Sequence, residues 1–152
     1  MRKFLYFSLM DKIMSFRNEE GCSIIKTVDL WNEQVEFIEQ EAPFDTPAIF
    51  IEFLPINWNS LSSKIQQATF NIRLHIVSRY EGDSRNTSMF QTQAMNRFDL
   101  LDQLDELLNN FADEDAKCGF CMFHRIGSST NHNHEELIED ITEYSTLITQ
   151  HL

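Results

Sequence analysis

The stretch from Lys117 to His134, KCGFCMFHRIGSSTNHNH, holds two cysteines and three histidines within eighteen residues. Two kinds of chemistry use such residues. A tetrahedral metal site would take Cys118, Cys121, His132 and His134, and such sites place two to four residues between the cysteines and three to five between the histidines. The cysteine spacing fits, but only Asn133 separates the histidines. A redox dithiol would take Cys118 and Cys121, yet such pairs owe their reactivity to a helix N-terminus. Here the segment is β-like and follows the acidic run ADEDAK.

The elements around these residues give the stronger objection. Lys117–Ile126 and Leu137–Thr149 read as paired strands joined by the polar loop GSSTNHNHEE. That pairing sets Cys121 opposite Ile141 and Cys118 opposite Tyr144. The histidine loop then lies roughly 25–30 Å from Cys118, at ~3.3 Å per strand residue. The expectation is therefore no metal and no cofactor. The cysteines read as small apolar strand residues, and NHNHEE reads as a polar turn rather than a lone pH sensor.

Other candidates read the same way. His75 is expected at the surface of a strand, and His124 as an ordinary strand residue. Asp99, Asp102, Asp105 and Glu106 read as the solvated face of a helix, since general acid–base work needs carboxylates in a cleft. The glycines, Gly21, Gly82, Gly119 and Gly127, are isolated, so no phosphate cradle is encoded. No catalytic residue emerges, and the chain reads as a non-enzyme.

Composition narrows the partners. With 152 residues, 42% of them apolar, one domain spanning 1–152 with a sizeable core is expected. A formal net charge of −12 disfavours an anionic membrane surface or sequence-specific nucleic acid as partner. Three cysteines cannot form an even disulfide framework, which suits a reducing compartment. The apolar run Phe4–Met10 stops at Asp11-Lys12 with no small-residue cleavage site after it, so a cytosolic product is expected.

Leu5, Leu9, Ile13 and Phe16 recur at helical spacing and predict a helix over 2–17. Ile24–Leu30 and Gln34–Ile38 suggest a hairpin. Pro47–Leu54 is a strand apolar on both faces, the pattern of a central strand. Pro55–Gln67 is polar and reads as a loop. In Ala68–Arg79, Phe70, Ile72, Leu74 and Ile76 alternate with Asn71, Arg73 and His75, so one face meets the core. A second helix is expected from about Ser88 to Phe111, its stripe formed by Phe90, Ala94, Phe98, Leu101, Leu104, Leu108 and Phe111. The sum is an α+β domain: an antiparallel sheet with an N-terminal helix and a second long helix packed on one face.

This order, with the phrases LWNEQVEF, PAIFIEF, FNIRLHIVS, RFDLLDQLDELLNNF and NHNHEELIEDITEYST, resembles the tail-terminator (tail-completion) proteins of long-tailed phages. The resemblance is to the version carried by prophages of Bacteroides-type bacteria. The resemblance implies a tail-terminator-like α+β fold and a structural role. Such proteins form a ring, commonly sixfold, that caps the tail tube and meets the head-side connector. It thus implies three partners: further copies of the chain, the tube protein and the connector protein. It implies a place in the host cytoplasm during assembly and in the virion tail afterwards. No catalytic residues carry over. The polar loops holding Ile56, Trp58 and Leu61, and Tyr80, are the candidate oligomer contacts, since aromatic anchors often dominate interfaces. The alternative is a host-encoded small-ligand-binding module or enzyme on a similar sheet.

Overall fold

The structure, a computed structural model, describes residues 1–35, 44–79, 82–112, 120–132 and 136–152. In chain order the elements are α1 (Arg2–Met14), β1 (Thr27–Leu30), β2 (Ala48–Phe53), β3 (Trp58–Ser62), β4 (Ile65–Arg79), α2 (Gln91–Leu108), β5 (His124–Asn131) and β6 (Leu137–His151). The α+β class expected from the sequence is the one observed.

The apolar stripe of α1 buries Leu5, Leu9 and Ile13. The helix gives way to a turn in which the Asn18 Oδ1 accepts from the backbone N–H of Glu20 and of Cys22, the local competition that favours Asn in turns. Gly21 follows at φ +80°, a conformation that suits a residue without Cβ. Helix α2 ends at Asn109–Asn110, with Asn110 left-handed at φ 67°. The Asn110 N–H donates to the Phe123 carbonyl, and the Phe123 N–H donates to the Phe111 carbonyl. That exchange straps the helix end to the chain entering β5.

Six strands form one sheet in the order β1-β2-β4-β6-β5, with β3 also pairing β4. All pairs are antiparallel except β1 with β2, which is parallel. The sheet is thus mixed rather than wholly antiparallel. The hairpin expected from Ile24–Leu30 and Gln34–Ile38 is not how β1 is held, because β1 pairs β2 instead; residues 36–38 lie outside the described residues. Strands β4 and β6 run side by side from Ile65↔His151 to Arg79↔Leu137.

Both helices pack on one face. Their core joins Leu5, Leu9, Ile13, Leu104 and Leu108 to Ile49, Ile51, Phe70, Ile72, Leu74 and Ile76. The period-two face of β4 therefore meets the helical stripes as the sequence implied. A smaller cluster on the opposite face gathers Val35, Ala48, Phe50, Val77 and Leu137, with Trp31 and Phe44 packed against it. Among the described residues, no helix is long and apolar enough to cross a membrane.

Three differences bear on function. Pro55–Gln67 is not a loop: β3 turns back on the start of β4, with Trp58 opposite Ala68. The tract Gly127–Asn131 is strand rather than loop, so β5 runs beyond the expected boundary at Ile126. Not all of the α2 stripe is buried: Leu104 and Leu108 are inside, whereas Phe90 and Phe98 are each 45% exposed.

Candidate functional site

Extension of β5 through Gly127–Asn131 shifts the register of the C-terminal hairpin. Arg125, not Cys118, stands opposite Tyr144, and Ser129, not Cys121, stands opposite Ile141. Cys121 instead donates its backbone N–H to the carbonyl of Leu147. A bulge at Ile126 absorbs one residue of the mismatch. The shift has a plain cause: the side chains of His124–Ser129 are all exposed, so the strand shows no apolar alternation. Cys118 and His134 lie outside the described residues. Cys22 and Cys121 are exposed free thiols. His132 follows the end of β5 distant from Cys121. No group of three or more His, Cys, Asp or Glu among the described residues is placed to hold a metal.

His75 is not a surface residue. It is 3% exposed, because Trp31 stacks on its ring, centroids 3.7 Å apart and planes 2° from parallel. Its Nε2 lies 2.8 Å from Glu52 Oε2, and its Nδ1 lies 3.5 Å from Glu139 Oε2. Beside it, Glu52, Arg73 and Glu143 form a row across β2, β4 and β6. The Arg73 Nε donates to Glu143 Oε1 at 2.9 Å, while Nη1 lies 3.4 Å from Glu52 Oε2. The hydrogen bond to Glu143 leads the effects that hold the Arg73 guanidinium above its ordinary range. Each member of the row is about a third exposed, so the pairs orient one another more than they stabilise the fold.

On the helix side, a cleft of about 300 Å³ opens between α2 and the β5–β6 end of the sheet. Leu74, Ile76 and Leu104 line its apolar part; Ser128, Thr130, Asp140 and Thr142 line the sheet wall; Phe98, Asp102 and Asp105 line the helix wall. One arginine–aspartate pair lies in its wall, and Arg97, which lines a neighbouring pocket, reaches Asp140 from beside it. The Arg97 Nη1 lies 3.4 Å from Asp140 Oδ2, and the Arg125 Nη1 lies 3.2 Å from Asp105 Oδ2. Thr130 donates its hydroxyl to Asp140 Oδ1 at 2.6 Å, and Tyr144 donates to Asp105 Oδ1 at 2.9 Å. Burial first, and then the bond to Asp105, push the Tyr144 hydroxyl far above the usual phenol range. Asp105 is thus engaged with the sheet rather than simply solvated, whereas Asp99, Asp102 and Glu106 are exposed as expected.

The candidate contact residues divide. Ile56 and Trp58 are half-buried against the main core, and Trp58 meets Phe70 edge-on at 5.7 Å. Leu61 is 59% exposed. Tyr80 lies outside the described residues. The structure thus brings Ile56 and Trp58 to the root of the β3–β4 hairpin and leaves Leu61 near its tip.

The cleft residues Thr130, Asp140 and Tyr144, and Arg97 beside them, had no signature in the sequence. On β6, the side facing the helices carries Asp140, Thr142, Tyr144 and Thr146, all buried, while Ile141 and Leu147 point the other way. Apolar residues fall on both faces, with Tyr144 and Ile148 on the helix side, so hydrophobic alternation marks neither. A threonine paired across the ladder with a buried aspartate becomes visible only when the register is known. No protein-family model matches the chain, and no curated protein matches it significantly.

Proposed function

We propose that the chain is a structural, non-enzymatic part of a phage tail: a ring subunit that caps the tail tube and joins it to the head-side connector. On this reading it assembles in the host cytoplasm and ends in the virion tail, with further copies of itself, the tube protein and the connector protein as partners. The ring is commonly sixfold in the proteins it resembles. The observation that carries the reading is the β3–β4 hairpin. Trp58 and Ile56 fix its root on the core, and Leu61 stands exposed near its tip. A head-to-tail ring needs two different surfaces on each subunit. The hairpin supplies one, and the outer edge of β5 or the exposed Phe7 side of α1 is available as the other.

The test mixes the protein with purified tube subunits. Tubes of limited length with this protein at one end are expected. Leu61→Ser should weaken capping while leaving thermal stability within about 0.5 kcal/mol, as for surface sites generally. Uncapped growth in the presence of excess protein would overturn the proposal.

A second reading, a small-ligand-binding module, is favoured by the cleft beneath α2, whose buried polar atoms are not all matched.

A further inference from the structure

Charge is divided unevenly over the two helices. Helix α1 carries Arg2, Lys3 and Lys12 against a single acid, Asp11, whereas α2 carries Asp99, Asp102, Asp105 and Glu106 against a single base, Arg97. At the start of α1, an open pocket of about 450 Å³ lies between the helix and the β3–β4 hairpin. Arg2, Lys3, Trp58, Gln66 and Gln150 line it, and none of its lining residues is acidic. Arg2 and Lys3 are exposed, and among the described residues neither forms an ion pair. On the outer side of α2, Met95, Asp99, Asp102 and Glu106 recur at the spacing of one helical face. All four are exposed, and among the described residues none of the three acids has an ion-pair partner. The two surfaces do not meet within one copy. The pocket sits at Gln66 and Gln150, near one end of the β4–β6 ladder, while Asp102 lies beside Leu74 and Ile76. From Gln66 to Leu74 the strand covers roughly 26 Å at ~3.3 Å per residue.

We propose that these surfaces meet between copies: the Arg2–Lys3–Trp58 pocket of one copy receives the acidic stripe of α2 from the next. The inference rests on the ring reading and deepens it, since a head-to-tail ring needs two different faces that fit each other. Carboxylates suit the pocket, because two cations attract them and Gln66 and Gln150 carry amide donors. The apolar ends correspond as well. Phe7, one turn beyond Lys3 on α1, is 45% exposed, and Met95, one turn before Asp99 on α2, is 40% exposed. Phe7 then belongs to the same face as the hairpin, and α2 supplies the second face. The edge of β5 has less to offer the pocket, because its exposed tract Gly127–Ser129 carries no charge. Each copy has a net charge of −12. At ~0.15 M salt the screening length is only ~8 Å, so the faces in contact decide whether two copies attract.

The test is sedimentation velocity of the full chain in ~0.15 M salt. Concentrations run up to about 1 mM, which reveals contacts with dissociation constants as weak as millimolar. The wild-type chain should sediment faster as concentration rises. Two variants each reverse one face: Arg2→Glu with Lys3→Glu, and Asp99→Lys with Asp102→Lys. All four sites are exposed, and circular dichroism establishes that each variant is folded. Either variant alone should associate about tenfold more weakly or worse, because like charges then face each other. An equimolar mixture should recover association, since the first variant keeps its acidic stripe and the second its basic pocket. Association that survives either reversal overturns the inference and gives the contact to another surface, leaving the ring reading in place. Weakening by both reversals without recovery on mixing overturns it too, because the two faces are then not partners. A wild-type chain that stays monomeric throughout also overturns it, whereas the ring reading stands or falls separately on tube capping.

Discussion

Tyr144 is a residue at which burial and a neighbouring carboxylate act in the same direction. Its hydroxyl loses protons in the unfolded chain near the ordinary value of 10.0, but only far above that in the folded one. The sign follows from linkage: above about pH 10 the unfolded state binds fewer protons, so stability present below that pH is lost as pH rises. Tyr144→Phe should therefore flatten the fall of the urea midpoint between neutral and strongly alkaline pH. An unchanged slope would show that Tyr144 does not contribute. Across the sheet, Trp31 closes over His75 by stacking alone. Trp31→Ala should cost about 1–3 kcal/mol by removing an aromatic contact and wetting a buried imidazole. A loss below about 0.5 kcal/mol would mean that the stack is incidental. Neither feature was legible in the sequence. Asp105 belongs to a run that resembles a solvated face, and His75 sits on the polar side of its strand. Only the folded register brings Tyr144 to the one and Trp31 to the other.

The elements that could be read were those whose pattern is set by one dry face. Phe70, Ile72, Leu74 and Ile76 announced β4, and Leu5, Leu9 and Ile13 announced α1, because in each the burial has the period of the backbone. Strands β3 and β5 could not be read that way. Asn59–Ser62 and His124–Ser129 are exposed on both sides, so water rather than packing chose those side chains. The parallel pairing of β1 with β2 joins segments about twenty residues apart in sequence, and nothing local encodes it. Helix α2 shows both regimes along its length. Leu104, 2% exposed, should cost about 2–5 kcal/mol as Leu104→Ala, from lost transfer energy and the cavity left behind. Phe98 belongs to the same stripe but borders the open cleft and is 45% exposed. Phe98→Ala should cost well under half as much, and equal losses from the two would show that the cleft closes in solution.

For the molecule as a whole, a net charge of −12 on 152 residues is a standing repulsion that folding concentrates. Raising ionic strength from ~0.01 to ~0.15 M shortens the screening length from ~30 to ~8 Å. The thermal midpoint should rise across that range, and a fall would mean that attractive pairs such as Arg73–Glu143 outweigh the net field. The sheet order carries a different consequence. Strand β6 is the last of the six to be synthesised, yet it lies between β4 and β5. Its fifteen-residue ladder with β4 joins positions some sixty to eighty-five apart in the chain. Contacts of such long range close slowly. On a ribosome, β4 would wait with one flank bare until synthesis had passed His151, and β5 would have no neighbour to join. The nascent chain is thus most open to capture by chaperones, or by the bare strand of another copy, during the interval between making β4 and releasing β6.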